Sequence, residues 1–131
     1  MELLVNTQAQ DRLGLFAKTD ARRAARWTVR VSVPPVARRG ETIEVRALVG
    51  HAMETGFRHD HLGAIVPRDI ITAFSCRHAG EEVFRVELTP SIAANPFFSF
   101  PARAMESGDF VFSWIDGDGR AREARAPIVV A

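Results

Sequence analysis

Five side chains of this chain are suited by type to covalent or metal chemistry: the single cysteine, Cys76, and the four histidines His51, His59, His61 and His78. A thiolate is the nucleophile that carries sulfur, and four imidazoles with one thiolate form a set able to hold one iron ion. The neighbours of Cys76 argue against reactivity. It is in register with Phe74 and Ile70 on an apolar strand face, with no Lys, His or helix N-terminus adjoining it to lower its pKa, so it reads as a small buried hydrophobe. His59-Asp60-His61 reads as a solvated loop cluster. Asp116-Gly117-Asp118-Gly119 opens like a calcium loop but lacks the third acidic ligand and the distal bidentate glutamate, which leaves a turn. Glu54 near Asp60, and the pair Glu81-Glu82, have no nucleophile or oxyanion donors beside them. No catalytic residue, metal-ligand set or cofactor site is assigned.

Three of the four histidines fall in the stretch HAMETGFRHDHLGAIVPRDII, residues 51–71, a turn-rich connector between two strand-like runs. Unstructured connectors of this length are uncommon in a small domain and are usually functional. His51, Met53, Glu54, Phe57, Arg58 and Arg68 form the candidate partner-binding set. Met53 and Phe57 are expected to stand exposed beside Glu54 and Arg58, as apolar anchors within a charged rim. The alternative is an inward-folded lid over one end of the domain, with Arg58 and Arg68 pairing with Glu54, Asp60 or Asp69.

The elements that must hold this connector are strands. Val29-Val31-Val33 and Ile43-Val45-Ala47-Val49 alternate apolar and polar residues and are separated by Pro34-Pro35 and Arg39-Gly40. Ile70-Thr72-Phe74-Cys76 alternates again, Gly80 marks a turn, and Phe84-Val86-Leu88 follows. After the loop with Pro90 and Asn95-Pro96 comes Phe98-Phe100. Phe110, Phe112 and Trp114 then share one face of a strand. Asp116–Gly119 makes a hairpin turn into a last strand near 121–130. About seven short strands with turn signals between them predict an all-β antiparallel sandwich over residues 27–131, its core built on Phe74, Cys76, Phe100, Phe110, Phe112 and Trp114. Residues 1–26 form an N-terminal extension. Leu13, Phe16, Ala17, Ala21, Ala24 and Ala25 recur at roughly helical spacing there, and a weakly amphipathic helix, a disordered segment and a start site placed too far upstream all fit.

A length of 131 residues suits one domain. With 17 basic and 16 acidic side chains and a net charge of +1, the chain offers no electrostatic case for nucleic acid or an anionic membrane. Neither a secretory apolar run nor an 18-residue apolar span occurs. Arg22-Arg23 is followed by no hydrophobic region and reads as chance adjacency.

His51, Met53-Glu54-Thr55-Gly56, Arg58, Asp60, Pro67-Arg68 and Ile70-Ile71 resemble the signature of the SoxZ family, a subunit of the sulfur-carrier complex of bacterial thiosulfate oxidation. Phe74-Ser75-Cys76, Gly80-Glu81-Glu82-Val83, Asn95-Pro96-Phe97-Phe98-Ser99-Phe100, Ser107-Gly108-Asp109-Phe110, Phe112–Gly119 and Pro127–Ala131 continue it in the family's order. The resemblance covers roughly residues 29–131. It implies an immunoglobulin-like sandwich and a non-catalytic scaffold paired with a SoxY-like subunit, whose own cysteine on a glycine-flanked arm carries the sulfur. Transient docking to other sulfur-oxidation enzymes is implied too. So is a periplasmic location reached by export with a signal-bearing partner, this chain having no signal peptide of its own. The competing family is the iron-binding superoxide reductases, whose four imidazoles and one thiolate match the count here. The spacing departs from theirs: one residue separates Cys76 from His78 where that pattern has two, and no paired histidines follow His51.

Overall fold

The computed structural model describes residues 27–131. The extension at 1–26, with its helical, disordered and start-site readings, lies outside the described residues. Eight strands follow in order: β1 (Thr28–Ser32), β2 (Val36–Ala37), β3 (Glu41–Gly50), β4 (Ile71–His78), β5 (Glu81–Glu87), β6 (Phe97–Ala104), β7 (Gly108–Asp116) and β8 (Ala121–Val130). They form a three-stranded sheet, β1-β3-β6, and a five-stranded sheet, β2-β8-β7-β4-β5. This is the all-β sandwich that the alternation predicts, of the immunoglobulin-like kind that the resemblance implies. Among the described residues there is no helix, and so none long and apolar enough to cross a membrane.

Alternation decides which side of each strand is buried. In β3, Ile43, Val45, Ala47 and Val49 point inward while Glu44 and Arg46 pair with each other outside. In β7, Phe110, Phe112 and Trp114 are fully buried. Phe112 and Trp114 meet Phe74 of β4, whose ring centroid lies 5.1 Å from Trp114, 6.4 Å from Phe112 and 4.8 Å from the stacked Phe98 of the facing sheet. Phe84 of β5 stacks on Phe100 of β6 at 4.2 Å, closing the core on the side where both strands are sheet edges. Each such ring removes about 1.5–3 kcal/mol worth of apolar surface from water. All six residues expected in the core are buried there.

The strand count and one phase differ from the expectation. The two-residue β2 is the eighth strand, and it runs parallel to β8 where every other pair is antiparallel. It exists because the chain leaves the first sheet at Val33 and crosses at Pro34-Pro35. The Pro35 carbonyl accepts from the Val129 amide at 2.9 Å on the other sheet. In β4, the register against β7 shifts between Ile71 and Ala73. This irregularity buries Ile70 and Ile71 together, so the simple alternation from Ile70 through Thr72 to Cys76 does not hold at its start.

The loops collect at two ends. Residues 51–69, 89–96 and 117–120 lie together at one end, tied by Asn95 N–H to the His51 carbonyl (2.7 Å) and Gly117 N–H to the Ile70 carbonyl (3.2 Å). The turns at 38–40, 79–80 and 105–107 share the other end, where Gly40 N–H donates to the Ala104 carbonyl at 2.7 Å.

Candidate functional site

The connector is a folded-over hairpin. Glu54 and Asp69 exchange backbone hydrogen bonds, each amide donating to the other's carbonyl at 2.8 Å, and His59 and Ile65 form a second bridge further out. The tip is held by Asp60, whose carboxylate accepts from the amides of Leu62 (2.8 Å) and Ala64 (3.0 Å). Gly56 has φ of +92°, and a Cβ there would lie 3.2 Å from that of Arg68, so glycine lets the two arms close on each other.

His51 and Met53 do not stand at the surface. His51 is buried, with Trp27 edge-on at 5.4 Å, and its Nδ1 accepts the Met53 amide at 2.9 Å. That bond leaves Nε2 as the donor, facing the Asp69 carboxylate 3.5 Å away. Asn95 grips His51 from the other side, its Oδ1 accepting the His51 amide at 2.9 Å. Met53 takes a positive φ of 54°, which turns its side chain into the core, where its sulfur accepts the Ile71 amide. The expectation of an exposed Met53 is therefore corrected: it is an internal peg, and the positive φ is the cause.

Phe57, Arg58 and Arg68 are exposed, and Glu54 is half-buried. Arg58 pairs with Glu54 at 2.8 Å, and its hydrogen bonds and charge hold that carboxyl below the usual range. Phe57 is 82% exposed, and two residues that the sequence reading passed over, Leu62 and Ile65, are 80% and 62% exposed. Three large exposed apolar side chains on one hairpin, which also carries the exposed Arg58, His61 and Arg68, make it a surface of the kind that marks interaction sites. A leucine at the tip of an Asp-capped turn was the available signal, since turn tips are ordinarily polar.

Also unforeseen is Arg120, almost completely buried at the base of the connector. Its Nε donates to Asp116, and its Nη2 donates to Asp69 and to Asp118, both at 3.0 Å. Asp116 spends its other oxygen on the amides of Asp118 (2.9 Å) and Arg120 (2.8 Å), which makes the 116–120 stretch a capped turn. Burial pushes the Asp116 carboxyl above its ordinary value, and the bonds and charge of Arg120 pull it back only in part. Burial also works against the Arg120 charge, but the carboxylates of Asp116, Asp69 and Asp118 outweigh it. Asp116 is the one of the three that is buried, so the cost of the cluster falls on it.

Cys76 is fully enclosed and burial pushes its thiol up to about 12. His78 is buried against Phe110, its ring nitrogens 3.2 and 2.8 Å from the carbonyl oxygens of Asp109 and Glu106. His59 and His61 are on the exposed hairpin. The histidines and Cys76 thus point to different places, and no group of three or more His, Cys, Asp or Glu side chains among the described residues is arranged to hold a metal. The residues do not fit the five-ligand iron site that their count suggests.

The family described as Sulphur oxidation protein SoxZ matches residues 29–127. No curated protein is similar enough to this chain to be matched. Among solved structures, the chain is similar to the sulfur carrier protein SoxY from Chlorobium limicola f thiosulfatophilum, at 14% identity and a TM-score of 0.56, over 88% of this chain and 96% of that one. It is also similar to a superoxide reductase (neelaredoxin) from Ignicoccus hospitalis, at 20% identity and a TM-score of 0.61, over 79% and 80% of the two chains. A putative superoxide reductase from Thermotoga maritima gives 14% identity and a TM-score of 0.60, over 79% and 85%. At these identities the likenesses speak for a shared sandwich fold alone.

Proposed function

The chain belongs to the SoxZ family of sulphur oxidation proteins, and on that premise we propose that it is the non-catalytic, body-forming subunit of a SoxYZ-type sulfur carrier. Its partner is a SoxY-like subunit whose cysteine bears the sulfur intermediates of thiosulfate oxidation. The observation that carries this reading is the state of Cys76. A thiol enclosed by aromatic side chains and held protonated far above neutral pH is neither nucleophilic nor reachable. A carrier built with this chain must therefore take its thiol from another subunit.

What the chain supplies is shape. A carrier arm that visits several enzymes needs a stable body for them to dock on. The Phe57, Leu62 and Ile65 patch is the part of the connector suited to a protein contact, with Glu54, Arg58 and Arg68 as its rim. We assign it to the SoxY-like partner, with transient docking of other sulfur-oxidation enzymes elsewhere on the body. His51 and Met53 serve this surface from beneath, by fixing the path of the chain into the hairpin. The periplasm is the place we assign, reached by export of the folded pair on the partner's signal. Co-expression with a SoxY-like subunit tests the pairing: the two chains should co-purify at equal stoichiometry, and separation of the two under gentle conditions contradicts it.

The superoxide reductase reading is not favoured by any placement of side chains. His51 Nδ1 accepts the Met53 amide, both ring nitrogens of His78 face backbone carbonyls, and Cys76 faces the aromatic core.

A further inference from the structure

β5 closes the five-stranded sheet on one side, paired only with β4, and β6 closes the facing sheet, paired only with β3. Between these two edges, at the end of the sandwich away from the connector, runs a groove of about 510 Å³. Its apolar lining comes from Val83 of β5, Pro101 and Ala102 of β6, and Met105 beyond it. Val83 and Met105 are 37% and 45% exposed. An unpaired edge presents backbone N–H and C=O groups that another strand can satisfy.

The two edges differ in what they can accept. β6 carries Pro101, which has no N–H to give and interrupts any ladder built on it. β5 has no proline, and it carries three carboxylates, Glu81, Glu82 and Glu87, against one guanidinium, Arg85, which lies 3.4 Å from Glu82, while the charged lining of the groove is Glu81, Glu106 and the single cation Arg103. That charge pattern selects the occupant. Antiparallel pairing of two β5 copies about Phe84 would set Glu81 opposite Glu87 at both ends, and like charges directly opposite are destabilising. Two such edges also bring net negative charge together, which disfavours a second copy of this chain and makes a strand with basic side chains the complementary occupant.

We propose that the β5 edge and the β5–β6 groove bind an extended segment of a protein partner by strand addition. The segment carries lysine or arginine opposite Glu82 and Glu87, and a small apolar side chain that enters the groove at Val83 and Met105. Backbone bonds to β5 provide affinity, and the groove and acidic rim provide selection. The groove lies at the opposite end from the connector patch, and β5 runs from it to Glu87, which pairs with Ala73 at the start of β4. The proposal stands whether or not the connector binds a SoxY-like subunit.

Short synthetic peptides test it on the full chain by calorimetry and by backbone amide shifts. A peptide of alternating valine and lysine is expected to bind saturably, with shifts concentrated in β5 and around Met105. The same peptide with its central valine replaced by proline should lose binding, because the ladder is cut. Reversing the rim with Glu82→Lys and Glu87→Lys, both exposed, should weaken the lysine peptide about tenfold or more and favour a valine–glutamate peptide. Binding that survives the proline, or that ignores the charge reversal, would show diffuse ionic attraction and overturn the proposal. So would absence of binding at about millimolar peptide, or self-association of the chain through β5.

Discussion

Arg120 donates to the Asp69 carboxylate at 3.0 Å across 51 residues of sequence, and this bond joins the foot of the connector to the β7–β8 turn. The same guanidinium is held by Asp116 below it. The exposed patch is therefore mounted on a buried ionic post.

Arg120→Ala leaves the Asp116 carboxylate buried without its partner. Breaking one side of a buried pair costs about 3–5 kcal/mol, a large part of the roughly 5–15 kcal/mol a domain possesses. Urea unfolding should show a loss of that order. Hydrogen exchange should quicken across 51–69 more than across β3, since the Asp69 tie is lost as well. The double change Arg120→Met with Asp116→Asn should recover part of the stability, because it removes both charges. Equal losses in the single and double variants would mean that packing, not charge, is what Arg120 provides.

The hairpin patch should separate binding from folding. Phe57→Asp with Leu62→Glu changes side chains that are 82% and 80% exposed, so the melting temperature should stay within a few degrees of wild type. Affinity for a SoxY-like subunit should fall about tenfold or more, equivalent to about 1.4 kcal/mol or more. Met53→Glu has the opposite signature. It puts a charge where the Met53 sulfur now accepts the Ile71 amide, and it should unfold or severely destabilise the domain. Unchanged affinity in the first variant, measured by surface capture, would move the contact to a sheet face.

Trp114 is fully buried and its Nε1 has no hydrogen-bond partner among the described residues. Trp114→Ala should cost about 3–5 kcal/mol by opening a cavity among Phe74 and Phe112. Trp114→Phe should cost clearly less, since it keeps an aromatic ring and removes an unsatisfied donor. Chemical denaturation of the two variants side by side checks the order, and equal cost would show that the indole nitrogen is satisfied after all.

How much of this was legible beforehand follows from the range of each interaction. Phe110, Phe112 and Trp114 announce their face because a strand repeats every second residue, and nothing distant is needed to read it. Cys76 was placed in the core by the same period. Met53 was misread because an apolar residue in a loop looks alike whether it anchors a partner or the chain's own core, and a positive φ on a non-glycine residue leaves no mark in the sequence. Arg120 was passed over because its burial depends on Asp69, which only the fold brings near. β2 was missed because two residues between prolines and arginines carry no period at all.

Cys76 predicts an alkaline dependence of stability. Its folded pKa of about 12 lies above the unfolded thiol value near 8.5, so below that value both states hold the proton and the contribution is fully present. As pH rises from there toward the folded value, the unfolded state ionises first. Stability then falls by up to about 1.4 kcal/mol per pH unit. Cys76→Ala lacks this loss. The stability gap between wild type and variant should narrow between about pH 9 and 11, as read by urea midpoints, and a constant gap would mean that the thiol is not sealed from solvent.

The central claim is that sulfur never resides on this chain. Intact-mass spectrometry of both subunits, taken from a complex with a SoxY-like partner that is turning over thiosulfate, tests it most directly. The predicted result is sulfur-containing mass additions on the partner alone, with the mass of this chain unchanged and complex activity retained in the Cys76→Ser variant so long as that variant stays folded. A sulfur adduct on Cys76 during turnover, or loss of turnover in a folded, assembled Cys76→Ser complex, would contradict it.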